Sequence, residues 1–178
     1  MATPNLNITL PVVGGDNDAW GTENNTAITR IDTFAGRNEY LSMAFNSPTV
    51  TSSATKVMMG LGSAWALTPN ATGRVRLTIN GITSNTGTSV LHNINVYYGT
   101  GTAPVNGAAL TGTAILTGGD YGTISASGAN TNTPISLTVE VSGLTLATAY
   151  WFDLALGVAS GTGAIRVNSV IIEEIKFV

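Results

Sequence analysis

The chain carries a single histidine, His92. A hydrolytic triad needs such a residue beside a nucleophile and held by an acid. In "SVLHNINVYYG" the alternation sets His92 on the same face as Ile94 and Val96, and no serine stands in a G-x-S-x-G context. A packed, hydrogen-bonded histidine is expected. Glu173 and Glu174 look like a pair of acids, but adjacent strand residues point to opposite faces and cannot flank one glycosidic bond. "DNDAWG" sets Asp16, Asp18 and Gly21 at positions of a calcium loop, yet Trp20 and Ala27 stand where oxygen ligands are needed. Helix capping is the plainer role for these acids. "GLGSAW" lacks the lysine of a phosphate-binding loop, and "GTGTAPVNG" lacks a following helix. The residue types therefore predict no catalytic residue, no metal site and no cofactor; the chain is expected not to be an enzyme.

One pair keeps a binding role. Tyr121 in "GGDYGT" sits among turn residues, so its ring is expected to be exposed rather than in the core. Beside Asp120 it could stack on a sugar while the acid bonds a hydroxyl. The competing role is a tyrosine that covers its own loop or a subunit seam. Trp65, Tyr98, Trp151 and Phe152 lie in strand-like runs and are expected in core or interface.

The elements that position these residues change character along the chain. Residues 1 to 15 hold two prolines and a Gly-Gly, and are expected to form an extended arm. Ala27, Ile28, Ile31, Phe34 and Ala35 then recur at spacings of three and four, which predicts an amphipathic helix. Thr22 or Asp18 can cap its start, and Gly36 suits its end. So short a helix is marginal alone in water. Its stripe must be covered by its own domain, or by the same helix of neighbouring chains with Ile28, Ile31 and Ala35 forming a seam.

From residue 43 onward the period is two. Val75, Leu77 and Ile79 oppose Arg74, Arg76, Thr78 and Asn80, and Ile135, Leu137, Val139 and Val141 repeat the pattern. Tyr150, Phe152, Leu154 and Leu156 oppose Trp151 and Asp153. "KVMMGLGSAWAL" and "SVIIEEIKFV" are partly apolar on both faces, as strands covered on two sides would be. Prolines and Gly/Ser/Thr clusters punctuate seven or eight such runs, with no helices between them. The fold expected is mainly β, an antiparallel β-sandwich of jelly-roll or Greek-key type, preceded by an extended arm and one short α-helix. Residues 1–40 are expected to form the arm and helix, and residues 41–178 the sandwich. Gly99 to Thr133 is the longest irregular stretch, with one edge strand expected near Thr113 to Thr117, and long loops of this kind are usually functional or interfacial.

Composition narrows the partners. Of 178 residues, 10% are charged and the net charge is −3, so the phosphate-neutralising patch of a nucleic-acid binder is absent. No apolar run approaches the roughly 18 residues needed to cross a bilayer, and no membrane insertion is expected. The first residues lack the basic and apolar regions of a secretory signal, and the N-x-T sequons at Asn7, Asn24 and Asn70 are ordinary for an Asn/Thr-rich chain. There is no cysteine, so stability must come from packing and association. A surface of Thr, Ser, Asn, Gly and Ala suits burial against other subunits.

The stretch "LPVVGGDNDAWGTENNTAITRID" resembles the N-terminal segment of many tailed-bacteriophage tail-fibre proteins. The matching positions are Pro11, Gly14, Gly15, Asp16, Trp20, Gly21, Thr22, Asn25, Ile31 and Asp32; Glu23 stands where the pattern often has a lysine. "MMGLGSAWALTPNATGRVRLTINGI", "YYGTGTAPVNGAALTGT" and "GLTLATAYWFDLAL" resemble a β module at the C-terminal end of phage virion proteins. The resemblance implies a homotrimeric fibre or spike in the virion, anchored by Trp20 and its neighbours on another protein of tail or capsid, with Ile28 and Ile31 meeting their symmetry mates. The missing shaft repeats imply a short fibre, or else a head fibre or capsid decoration protein. A host surface glycan is a further expected partner, and a free carbohydrate-binding module is the rival from another class.

Overall fold

The two-residue period becomes a sandwich because each long strand has one face that water does not reach. The computed structural model describes residues 24–29, 31, 39–42, 49–124 and 128–175. Among these described residues stand eleven strands, β1 (Glu39–Ser42), β2 (Thr49–Thr51), β3 (Val57–Met58), β4 (Ala66–Leu67), β5 (Val75–Asn85), β6 (Leu91–Gly99), β7 (Thr113–Ala114), β8 (Tyr121–Ile124), β9 (Thr133–Val141), β10 (Tyr150–Val158) and β11 (Gly163–Glu174). Buried and half-buried residues alternate along all of β5, the pattern of a strand with one face in the core.

All pairings are antiparallel and make two sheets. The first runs β1-β11-β5-β9, with β2 beside β1 on the same edge of β11; the second runs β3-β10-β6-β7, with β4 beside β3 and β8 beside β7. Three positions are thus each filled by two short strands, and the chain passes back and forth between the sheets in the order of a jelly roll. The fold is the antiparallel sandwich that the alternation predicts. Leu77, Ile79, Val139, Ile165, Val170 and Ile172 from the first sheet meet Ile94, Val96, Phe152, Leu154 and Leu156 from the second. Burying one such side chain contributes about 1.5–3 kcal/mol, and this interlayer is the main stabilising element in a chain without cross-links.

The segment "KVMMGLGSAWAL" differs from its expected single strand. Gly60 and Gly62 interrupt it, so β3 and β4 pair with opposite ends of β10, at Ala155–Leu156 and Tyr150–Trp151. The expected edge strand near Thr113 to Thr117 is shorter, and is followed by β8. In β11 the register slips between Val167 and Ser169, a bulge that restores the inward direction of Val170 and Ile172.

Candidate assembly surface

The outer faces of the two sheets are finished differently. On the second sheet, Met58, Tyr97, Trp151 and Ala155 form a second buried cluster, covered by Ala103, Ala108 and Ala114. The irregular segment after β6 is therefore a lid made by the chain itself. It is pinned by Met58 N–H donating to the Ala108 carbonyl at 2.9 Å and Gly107 N–H to the Met58 carbonyl at 2.9 Å. The Trp151 indole donates to the Thr100 carbonyl at 3.2 Å, and the Asn95 amide to the carbonyls of Leu116 at 3.0 Å and Gly119 at 3.1 Å. Next to the lid, the Lys56 side chain crosses over Gly157 to an ion pair with Asp120. A Cβ on Gly157 would lie 3.1 Å from Lys56 Cγ, so glycine there leaves room for the strap.

Among the described residues, no such lid covers the outer face of the first sheet. Its rows are Ile171, Thr78 and Thr138, then Ser169, Asn80 and Ser136, joined where Ser136 donates to Asn80 at 2.9 Å. Charge flanks these rows: Arg166 lies opposite Ile82 beyond one end, and beyond the other Glu140 accepts from Arg74 at 2.6 Å and from Arg76 at 2.8 Å. Those two guanidiniums hold the Glu140 carboxyl below the usual carboxylate range.

Two acids serve as anchors that alternation alone does not reveal. Glu173 points outward and Glu174 inward, so the pair is split as expected. Glu174 accepts from the backbone N–H of Asn70 at 2.9 Å, Ala71 at 2.9 Å, Thr72 at 2.7 Å and Gly73 at 2.9 Å. Burial pushes its pKa up, but the four amides together outweigh that, and it lies below the usual value. Asp153 is fully buried and accepts from Gly60 N–H at 3.0 Å, Leu61 N–H at 3.0 Å and Leu154 N–H at 2.7 Å. Here burial outweighs the amides and raises its pKa to about 6. The readable signal for both was an acid set inside an apolar strand.

His92 is buried on the inner face with Ile94, as expected. Asn85 accepts from Gly87 N–H at 2.7 Å and donates to the Ser160 carbonyl at 3.2 Å. That fixes its amide group, which meets His92 Nε2 at 3.2 Å. Burial lowers the imidazole pKa, so the ring sits neutral in the core. Among the described residues no cluster of His, Asp and Glu could hold a metal ion, and no helix is long and apolar enough to cross a membrane.

Of the expected anchor residues, Pro11, Gly14, Gly15, Asp16, Trp20, Gly21, Thr22 and Asp32 lie outside the described residues. Asn25, Ile28 and Ile31 fall in the helical segment 24–29 and 31, where Thr29 Oγ1 donates to the Asn25 carbonyl at 2.8 Å. Ile28 is half-buried, while Ile31 is 59% exposed.

Asp120 and Tyr121 are placed differently from each other. Asp120 faces Lys56, whereas Tyr121 opens β8 opposite Ile94, so its ring is half-buried against the core rather than standing out of a loop. The local glycines concealed a short strand. Tyr121 lines a groove of about 210 Å³ with Ile94, Thr123, Ile135, Ser136 and Leu137, between β8 at the edge of one sheet and β9 at the edge of the other.

No protein-family model matches the chain, and no curated protein sequence does. Solved structures that resemble it include infectious bursal disease virus Gt strain, with TM-score 0.45 and 9% identity over 77% of this chain and 33% of that one. The T13 particle of the same virus gives TM-score 0.46 and 10% identity over 94% of this chain and 36% of that one. Eiger TNF from S. frugiperda gives TM-score 0.41 and 9% identity over 78% and 92%. The chain thus spans about a third of the length of the viral chains it matches, and no family membership follows from likeness at this level.

Proposed function

We propose that the chain is a structural, non-catalytic protein of a phage virion: a short homotrimeric fibre or spike whose N-terminal segment docks on a tail or capsid protein and whose sandwich faces outward. The observation that carries this reading is Ile31, 59% exposed on the helical segment directly behind the Trp-Gly-Thr stretch that resembles a fibre anchor. A short helix with an uncovered apolar residue gains order when neighbours cover it. The Thr, Ser and Asn surface and the self-made lid fit a body that is part of an assembly and needs no substrate cleft. Three copies would hold loop contacts to a host glycan, Asp120 and Tyr121 among the candidates, close enough to act together.

A second reading, a capsid decoration protein, is favoured by the uncharged rows of the first sheet, which suit flat lateral contact. Imaging of virions that carry a labelled copy of the full chain tests both. Label on tail or capsid is the expected result, and its position separates fibre from decoration; particles without label refute the proposal.

A further inference from the structure

Three edges of the two sheets are made of short strands. β1 and β2 share one, β3 and β4 another, and β7 and β8 a third, and none of these six exceeds four residues. Short strands are a common way to blunt an edge against further pairing. The fourth edge is β9, nine residues long and alone. It pairs with β5 on one side, and among the described residues no strand lies on the other. Between Pro134 and Glu140 it carries neither proline nor charge. On its inward face Ile135 and Leu137 are only half-buried against the core, and with Ile94 and Tyr121 they line the groove under this edge. On its outward face Ser136 and Thr138 end the uncharged rows of the first sheet. A strand that completes the edge must therefore alternate, with apolar residues toward the groove and Ser, Thr or Asn outward.

Outside the described residues the sequence holds one such run. In "PNLNITLP", Leu6, Ile8 and Leu10 alternate with Asn5, Asn7 and Thr9, and Pro4 and Pro11 bracket them as residues that end a ladder. The other segments do not fit. Residues 12–23 carry a Gly-Gly and three acids, residues 32–38 carry Asp32 and Arg37, and residues 43–48 set Met43, Ala44 and Phe45 in succession. Residues 125–127 and 176–178 are too short.

We propose that residues 5–10 add to β9 as a further strand of the first sheet, Leu6, Ile8 and Leu10 closing the groove beside Ile135 and Leu137. Asn5, Asn7 and Thr9 then extend the rows of Ser136 and Thr138. The segment belongs to the same chain. β1 and β9 stand three strand spacings apart, about 14 Å, and residues 11–38 link Leu10 to Glu39 with length to spare at about 3.3 Å per extended residue. That tether gives the chain's own segment a higher effective concentration at β9 than a strand of another molecule has in dilute solution. The pairing stands without the trimer reading. It also sets where the anchor-like stretch from Pro11 to Asp32 begins, at the mouth of the sandwich.

Hydrogen exchange of the full chain, followed on β9 by mass spectrometry, tests this. In wild type the β9 amides that face away from β5 should be protected along with those that face it. Ile8→Asp turns a carboxylate toward the apolar groove and should speed exchange in β9 by roughly tenfold or more, while β5, β10 and β11 stay protected and show that the fold is kept. Asn7→Asp, on the outward face, and Ile8→Val should both exchange like wild type. Equal exchange in wild type and Ile8→Asp overturns the proposal, fast exchange meaning a bare edge and slow exchange a different strand upon it. A fall in the sedimentation mass of Ile8→Asp overturns it too, because the segment would then lie on another copy.

Discussion

Replacing Glu174 by Gln tests whether one carboxylate holds the turn before β5. The ionised group accepts from four consecutive amides at 2.7–2.9 Å, three on Oε1 and one on Oε2. A glutamine that keeps its carbonyl at the Oε1 position must place an NH2 against the Asn70 N–H. One hydrogen bond becomes a donor-donor contact, and the other three lose their charge assistance. Bonds to charged groups contribute about 1.5–3 kcal/mol against roughly 1 for neutral ones. The summed loss, offset by the cheaper burial of a neutral group, comes to about 2–4 kcal/mol. In a chain of this size that lowers Tm by on the order of 10 °C. Urea unfolding of both proteins at one chain concentration measures it.

The pH dependence carries the sharper test. A carboxyl whose pKa is lowered on folding contributes stability that is complete above its unfolded value, 4.5, and disappears as pH falls through the folded value. The wild-type advantage over Glu174→Gln must therefore be steady at neutral pH and shrink in acid. A variant within about 0.5 kcal/mol of wild type, the range of ordinary surface substitutions, or an advantage that persists in acid, would refute the assignment.

Asp153 should act in the opposite sense. Its pKa rises from 3.8 to about 6 on folding, so between these values the folded chain holds more protons than the unfolded one. Stability should fall by about 3 kcal/mol as pH rises through that window, at 1.36 kcal/mol per unit; Asp153→Asn should lack this component in urea titrations, and an unchanged profile would count against it. Gly112→Ala should unseat the lid, because a Cβ there would lie 2.4 Å from the Tyr98 carbonyl at a φ of +77°, a backbone region costly for alanine. Trp151 should then gain solvent contact, read as a red shift of tryptophan emission; an unmoved spectrum would mean that the lid is held elsewhere.

The long strands were legible because their period of two survives every substitution of one apolar residue for another. Val75, Leu77 and Ile79 announce a core face, and His92 could be placed beside Ile94 for the same reason. Tyr121 was not legible, because the glycines and aspartate around it are turn residues and the partner that makes β8 a strand, Leu91 to Ile94, lies some 30 residues earlier. The roles of Asp153 and Glu174 escaped for a related reason: apart from Leu154, next to Asp153, their amide partners are 92 or more residues distant. A local pattern shows that an acid is enclosed by apolar neighbours. It does not show which loop comes to satisfy it.

The unequal finish of the two sheets ties these observations to assembly. The second sheet spends more than a tenth of the chain on a lid over Trp151 and Tyr97, whose exposure would leave an apolar patch in water. A chain able to cover that patch from its own loops could have covered the exposed Leu91 and Ile124 by the same means. Ile31 adds a further exposed apolar site on a separate element. Such open apolar surface is what the assembly reading proposed above would cover. The two exposed sites make separate demands: the helix can be disrupted by Ile31→Asp and the pair Leu91 and Ile124 by Ile124→Glu. If both belong to one assembly, either substitution should lower the solution mass of the full chain, and a wild-type mass with both in place would count against the assembly reading.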